Sequence, residues 1–148
     1  MIETSKLVYG TCVALGEAAA LLLGPSGSGK SDLAMRFVLQ TPAELSPALV
    51  ADDQVRVEAW DGALFASPPD ALAGKIEVRG LGILTVPFRR EVELALIVEL
   101  AEPHDIPRLP APARAAPLCG IVLPRLLLTP FEASAALKLR LALQRIAS

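Results

Sequence analysis

The sequence GPSGSGKSD, from Gly24 to Asp32, follows the apolar run AAALLL and precedes the helix-like LAMRFVLQ. Its spacing is GxxxxGKS. Glycines let a backbone wrap tightly, so that several N–H groups point at one anion, and the N-terminus of the next helix adds partial positive charge. A strand, this loop and a helix in that order predict a phosphate-binding loop (P-loop), with Lys30 on the β- and γ-phosphates and Ser31 on Mg²⁺. The alternative is a small-residue turn that caps a helix, but such a turn does not require a lysine and a serine directly after its last glycine.

Length and composition limit the classes of protein to consider. The chain has 148 residues, which predicts one domain spanning 1–148, and 53% hydrophobic with 20% charged residues supplies ample core material. A net charge of -2 shows no excess of basic residues of the kind that non-specific nucleic-acid binding requires. Because we find neither a signal peptide nor an apolar run near the roughly 20 residues of a membrane span, we expect a soluble cytoplasmic protein.

The cysteines and the histidine carry little functional signal. Cys12 and Cys119 lie far apart and outside any CxxC spacing, so we expect two reduced thiols used in packing. His104 is the sole histidine and stands in a loop-like segment, which favours a surface residue and excludes a His-rich metal site.

The periodicity predicts strands at both ends of the glycine stretch and beyond it. KLVYGTCVAL and AAALLLG, separated by a GE turn, indicate two strands, and the helix begins at Ser31 and ends before TPAELSP. Further strands are predicted in ALVADD, in the hairpin QVRVEAW-DG-ALFAS, in KIEVRGLGILTV around a glycine turn, and in VELALIVEL. The fold class is therefore α/β, a P-loop nucleotide-binding sheet flanked by helices.

The C-terminal part begins with a weak signal and ends with a strong one. Residues 103–117 are proline-rich, which predicts an extended surface segment. A helix should follow, with Thr129 as N-cap, Pro130 at the first helical position and Glu132 completing a capping box. Its packed face repeats at i, i+4 through Ala135, Leu139 and Leu143.

Phosphoryl transfer also needs carboxylates near the metal and the acceptor. Asp52 and Asp53 directly follow the apolar strand ALVA, where a parallel sheet would present them at its carboxyl edge beside the P-loop. Because adjacent strand residues point to opposite faces, both cannot aim at one atom unless the chain turns there. Glu99 is a second candidate, but it lies within its strand and is equally well explained as a solvent-facing or edge residue.

Two common P-loop classes fit poorly. Guanine-specific GTPases read their base with an NKxD motif, and this chain contains no asparagine. Shikimate-kinase-like and adenylate-kinase-like enzymes usually carry arginine-rich lids, whereas the arginines here are scattered.

Three stretches together resemble one family. GPSGSGKSDLAMRF, LVADDQVRVEA and IEVRGLGILTV are similar, in order, to the P-loop, the aspartate pair and the signature segment of the HPr kinase/phosphorylase C-terminal catalytic domain, over about residues 7–100. The resemblance implies ATP-dependent phosphorylation of a serine on the phosphocarrier protein HPr, and phosphorolysis of the phosphoserine by inorganic phosphate. It also implies a core related to the nucleotide-binding part of phosphoenolpyruvate carboxykinase, and a homo-oligomer, since family members form hexamers.

The resemblance also implies roles for single residues. Asp52 would be the acid/base for the acceptor serine, with Asp53 beside it in the same site. Glu77 resembles a second metal-side carboxylate, and Arg79 a phosphate-side catalytic residue. The nucleotide phosphates would be bound, with Mg²⁺ on Ser31, by Gly24, Pro25, Ser26, Gly27, Ser28, Gly29, Lys30 and Ser31.

The chain departs from the family pattern at two places. Tyr9 stands where many members have a histidine, and LPRLLLTPFEAS at 123–134 replaces a basic PGRN-like loop. These departures favour an alternative, a nucleotide-sensing regulatory module with little phosphotransfer, whereas both aspartates, Glu77 and Arg79 favour the kinase. A small-metabolite kinase is a weaker third reading, because nothing resembles its acceptor site.

Overall fold

The computed structural model describes residues 2–109 and 114–147. Within them the chain forms ten β-strands and two α-helices, joined in places by short 3-10 turns at Ala43–Leu45, Asp70–Leu72 and Pro103–Asp105. In chain order these are β1 (Ile2–Tyr9), β2 (Thr11–Leu15), β3 (Ala18–Leu23), α1 (Lys30–Gln40), β4 (Pro47–Ala51), β5 (Gln54–Trp60), β6 (Ala63–Ser67), β7 (Lys75–Val78), β8 (Gly82–Thr85), β9 (Val92–Leu100), β10 (Arg125–Leu128) and α2 (Ala135–Ala147).

The main sheet is mixed, as the predicted hairpins require, with parallel and antiparallel strand pairs. Its order is β1-β5-β6-β9-β3-β2-β4, with β10 also beside β9, while β7 and β8 form a separate hairpin. Among the strand pairs in the described residues, β3–β9 and β9–β10 are parallel and the others are antiparallel. Strand β4 still runs in the same direction as β3, because two antiparallel pairings separate them. The carboxyl ends of β3, β4, β9 and β10 therefore open at one edge of the sheet.

Both helices pack on the same face of this sheet. α1 buries Leu33, Ala34, Phe37 and Val38, and these residues share one apolar cluster with the predicted α2 face. The helices thus flank the sheet on one side only. The other face is covered because the sheet curls, so that residues of β5 and β6 such as Val57 and Leu64 pack with Val50 of β4.

Two buried faces explain why the inner strands read as continuous apolar runs. In β2, Val13 and Leu15 belong to the helix-side cluster, whereas Cys12 and Ala14 belong to the cluster inside the curl. Burial raises the pKa of the Cys12 thiol well above its usual range, so it stays protonated and serves in packing, as predicted. Cys119 is also free, and His104 is exposed.

The first predicted strand is in fact two. Its chain pairs with β5 up to Tyr9 and then crosses at Gly10 to lie between β3 and β4. Gly10 donates its N–H to the Asp53 carbonyl at 3.1 Å, and a Cβ there would lie 2.8 Å from the Leu22 carbonyl oxygen. The crossing needs a residue without a side chain, and an apolar run alone does not reveal it.

The predicted start of the last helix is wrong. α2 begins at Ala135, and the Thr129 hydroxyl donates to the Ala101 carbonyl at 3.1 Å instead of capping the helix. The residues before Thr129 form β10, a strand that the sequence analysis did not predict; its four residues are too few for a periodic signal. Ala135, Leu139 and Leu143 are buried, so the predicted packed face is confirmed.

The other predicted strands are confirmed, as are the turns between them. Gly16 turns between β2 and β3, and the Asp61–Gly62 pair, both at positive φ, joins β5 to β6 as hairpin turns require. Of the proline-rich segment 103–117, residues 110–113 lie outside the described residues. Neither helix in the described part of the chain has the length and apolar character needed to span a bilayer.

The connection from β4 to β5 is the tightest turn beside the open edge. The Gln54 N–H donates to the Asp52 carbonyl at 2.8 Å, across the single residue Asp53, whose φ is +69°. An i to i+2 bond around a positive φ has the pattern of a γ-turn of the rarer, strained kind. Asp and Asn tolerate this left-handed region better than other residues with a Cβ.

We therefore expect Asp53→Ala to lower the free energy of unfolding by about 1 kcal/mol, the order of cost of a left-handed φ, whereas Asp53→Asn leaves it within about 0.5 kcal/mol. Urea denaturation measures both. Asp70→Ala, a change of another exposed aspartate in a 3-10 turn, is the control and should have little effect. Equal stability of Asp53→Ala and the parent chain would contradict the strained turn.

Candidate active site

A cleft of about 630 Å³ opens at the carboxyl edge of the sheet. Its volume lies within the usual range for sites that take small molecules, roughly 300 to 1,000 Å³. The walls come from the glycine loop (residues 24–31), the β1–β2 crossing, the turn after β4, the end of β7 and the segment before α2. The lining residues include Tyr9, Thr11, Gly24, Ser26, Gly27, Gly29, Lys30, Ser31, Asp53, Glu77, Arg79 and Phe131.

The glycine loop owes its shape to left-handed and crowded positions. Gly27 and Gly29 have φ of +80° and +97°, and the Gly29 carbonyl accepts the first helical N–H bond, from Leu33 at 3.0 Å. A Cβ at Gly24 would lie 2.6 Å from the Ser28 hydroxyl oxygen. The backbone therefore wraps closely around the start of α1, with the helix N-terminus at the cleft.

Lys30 lies across this loop. Its ammonium donates to the Gly24 carbonyl at 2.7 Å and to the Pro25 carbonyl at 3.0 Å, with the Ser28 hydroxyl oxygen at 3.5 Å. These contacts hold a positive charge at the mouth of the loop. Both carbonyl bonds can be exchanged for bonds to an anion bound there.

Asp52 is the most connected carboxylate of the site. It is 6% exposed, and its Oδ1 accepts bonds from the Ser31 hydroxyl at 2.7 Å and the Thr11 hydroxyl at 2.9 Å. The backbone N–H of Glu77 donates to Oδ2 at 3.3 Å. One buried carboxylate thus connects the glycine loop, the start of β2 and the β7–β8 hairpin.

Asp53 lies on the other side of the turn, exposed and lining the cleft. The two aspartates were expected to diverge unless the chain turned between them, and the chain does turn. They nevertheless occupy different places: Asp52 lies behind Ser31, and Asp53 faces the open space.

Glu77 and Arg79 also line the cleft, both exposed, at the end of β7. The predicted site residues are therefore brought together, with Pro25 and Ser28 completing the loop. Glu99 is not among the lining residues, and its carboxylate pairs with Arg125 at 3.3 Å. At this position β9 lies between β3 and β10 and Glu99 is half-buried, so it is not the edge or solvent-facing residue of the simpler interpretation.

The polar groups fit a hard cation only in combination with a ligand. Hydroxyl and carboxylate oxygens, as in Ser31 and Glu77, are the donors that Mg²⁺ prefers. In the described ranges 2–109 and 114–147, no three side chains of the His, Cys, Asp and Glu types cluster closely enough to hold a metal by themselves. Ser31 and Glu77 are therefore protein groups of the cleft whose oxygens suit Mg²⁺.

Sequence reasoning missed three residues of the site. Thr11 was hidden inside an apolar run, and its contact depends on β2 lying between β3 and β4. Arg36 had a visible signal, the i, i+4 spacing to Asp32, with which it pairs at 2.9 Å. Phe131 had been placed in the first turn of a helix, and the structure puts it at the cleft instead.

Comparison with known proteins identifies relatives of this chain. An HPr kinase/phosphorylase of Clostridium tetani is 38% identical over 80 residues, which are 54% of this chain and 25% of that protein. The HPr kinase/phosphorylase of Brevibacillus brevis is 29% identical over 115 residues, or 71% of this chain and 35% of the relative. The chain thus spans about a quarter to a third of the length of these curated relatives.

A solved structure shares the fold. The Hpr(Ser) kinase/phosphatase from Coxiella burnetii matches with a TM-score of 0.77 at 23% identity, covering 95% of this chain and 94% of that one. The family model described as the HPr Serine kinase C-terminal domain matches residues 2–133. Because that match takes in most of the 148 residues, the chain belongs to the HPr serine kinase C-terminal domain family.

Proposed function

We propose that residues 1–148 form a protein-serine kinase domain that uses ATP and Mg²⁺ and phosphorylates HPr or an HPr-like phosphocarrier. The observation that carries the proposal is the 2.7 Å bond from the Ser31 hydroxyl to Asp52, with Asp53 beside it in the same cleft. A phosphate-binding loop and an acid/base group then lie within reach of one substrate. The names of the relatives supply the acceptor, HPr.

In this proposal the glycine loop is a P-loop and binds the triphosphate. Its backbone N–H groups and the N-terminus of α1 supply partial positive charge. Lys30 exchanges its bonds to the Gly24 and Pro25 carbonyls for bonds to β- and γ-phosphate oxygens. Because both carbonyls that now accept from Lys30 are neutral, Lys30 breaks no ion pair when it turns to the phosphates.

The Ser31 hydroxyl and the Glu77 carboxylate would hold Mg²⁺ together with phosphate oxygens. When bound, the ion neutralises charge that develops on the transferring phosphoryl group. Asp52 orients the Ser31 hydroxyl by accepting a hydrogen bond from it. Arg79, which also lines the cleft, would face the phosphate oxygens.

For the acid/base we propose a division of roles different from the one that the resemblance implied. Asp52 is buried, and three donors already occupy its oxygens. Asp53 is exposed in the cleft and is therefore the carboxylate that an acceptor serine can approach. Asp53 accepts the hydroxyl proton while the serine oxygen bonds to the γ-phosphorus and the bond to ADP breaks.

Three broader expectations remain part of the proposal. They are a nucleotide-binding core related to phosphoenolpyruvate carboxykinase, phosphorolysis of the phosphoserine, and assembly into a homo-oligomer. The relatives' names support the second, and large exposed apolar side chains such as Leu7, Leu81 and Ile83 support the third.

One observation favours a second candidate function, a nucleotide-sensing module with little transfer. Tyr9, which replaces the histidine of many family members, lines the cleft and is 71% exposed. A phenol in this place lacks the ring nitrogen through which a histidine could accept a proton.

The first test is transfer of γ-labelled phosphate from ATP and Mg²⁺ to purified HPr. The 148-residue chain should label a serine on HPr, and Lys30→Ala should abolish the labelling because the triphosphate loses its main cation. Lys6→Ala, at an exposed lysine on β1 outside the cleft lining, is the matched control and should label normally.

Equal labelling by Lys30→Ala and the parent chain would contradict the phosphate role of the loop. Nucleotide binding by the parent chain without any labelling of HPr would favour the sensing module.

A second test separates the two aspartates. Asp53→Asn should lower kcat by roughly 10² or more, the usual contribution of a positioned base, and leave ATP affinity within about twofold. Steady-state transfer rates at saturating ATP and HPr, with ATP binding by calorimetry, measure both. Near-normal kcat in Asp53→Asn would return the acid/base role to Asp52.

A further inference from the structure

The segment 129–134 before α2 is hydrogen-bonded at the cleft, although it has no regular secondary structure. Its first residue, Thr129, is buried and bonds to the Ala101 carbonyl at 3.1 Å. The Arg36 guanidinium then donates to the carbonyls of Pro130 and Glu132, the latter at 3.4 Å. Arg36 therefore binds the carbonyls of the two residues on either side of Phe131.

Phe131 itself is left uncovered by this arrangement. Its side chain is 69% exposed, and it lines the same cleft as the glycine loop. The ring edge lies against Gly29, where an added Cβ would be 2.9 Å from the Phe131 Cζ atom and 3.0 Å from Cε1. Single exposed apolar residues are ordinary on a protein surface. Phe131 differs because its ring lies beside Gly29 of the proposed phosphate-binding loop, and Arg36 bonds to the carbonyls on either side of it.

The sheet topology places this ring on the side opposite the acceptor end. Strand β3 feeds the glycine loop. On one side of it lie β2 and then β4, whose end is followed by Asp53; on the other lie β9 and then β10, whose end is followed by Phe131. A triphosphate on the loop with its terminal phosphate toward Asp53 would extend its nucleoside toward β10. Phe131 is the aromatic side chain that meets it there.

We propose that Phe131 is the stacking surface for the nucleobase of the bound nucleotide. The inference rests on the proposed nucleotide-binding function and assigns its base subsite. A π-face accepts any purine, since stacking requires no particular pattern of donors and acceptors. The site should therefore discriminate weakly between ATP and GTP, and Arg36 is a positioning residue that keeps the ring in place.

The test compares two ligands that share phosphates and differ in the base. Calorimetric titration of the full chain with Mg²⁺-ATP and with Mg²⁺-tripolyphosphate gives an affinity for each. Phe131→Ala should weaken ATP binding roughly tenfold, the order expected for one lost base–aromatic stack, and leave tripolyphosphate within about twofold. Phe131→Tyr should retain ATP affinity. Trp60→Ala removes an exposed aromatic outside the cleft lining and should change neither.

The outcomes separate this inference from the proposed function. Unchanged ATP affinity in Phe131→Ala would overturn the stacking role, as would an equal loss for ATP and tripolyphosphate, which would make Phe131 a support of the loop. A parent chain that binds tripolyphosphate as tightly as ATP also overturns it and leaves the phosphate site intact. Binding of neither ligand by the parent chain would refute both proposals.

Discussion

The buried carboxylate of Asp52 is the constraint on which the site depends. Removing such a group from water is unfavourable unless donors replace the lost hydration, and a charged acceptor left without them would be strongly destabilising. Its three donors are the hydroxyls of Ser31 and Thr11 and the N–H of Glu77, which come from the glycine loop, β2 and β7. Satisfying one charge therefore aligns three separate parts of the chain around the cleft.

The γ-turn at Asp53 lets two adjacent carboxylates, Asp52 and Asp53, take different roles in the site. Without it, residues 52 and 53 would point to opposite faces of a strand. With Asp53 at a φ of +69°, one carboxylate is buried behind the loop while its neighbour faces the cleft. Strained backbone is often found at active sites, where the surrounding structure holds it in place. Here the bond from the Gly10 N–H to the Asp53 carbonyl is one contact that fixes the turn.

Much of this could be predicted from sequence because the signals were local. The GxxxxGKS spacing located the loop and α1, the Asp61–Gly62 pair located a hairpin, and the aspartate pair was identified as part of the site. What escaped prediction depends on long-range pairing. The mixed sheet, the crossing at Gly10, the strand β10 and the place of Phe131 follow from which strands lie side by side, and residue periodicity does not carry that information.

In the proposed site Asp52 orients the Ser31 hydroxyl that would hold Mg²⁺, and ATP affinity measured as a function of Mg²⁺ concentration tests this directly. Asp52→Asn keeps the size of the side chain and removes its charge. We expect this variant to bind ATP without Mg²⁺ about as well as the parent chain, but to need about 10- to 100-fold more Mg²⁺ for the metal-dependent gain in affinity. An unchanged Mg²⁺ requirement in Asp52→Asn would mean that Asp52 does not support the metal site.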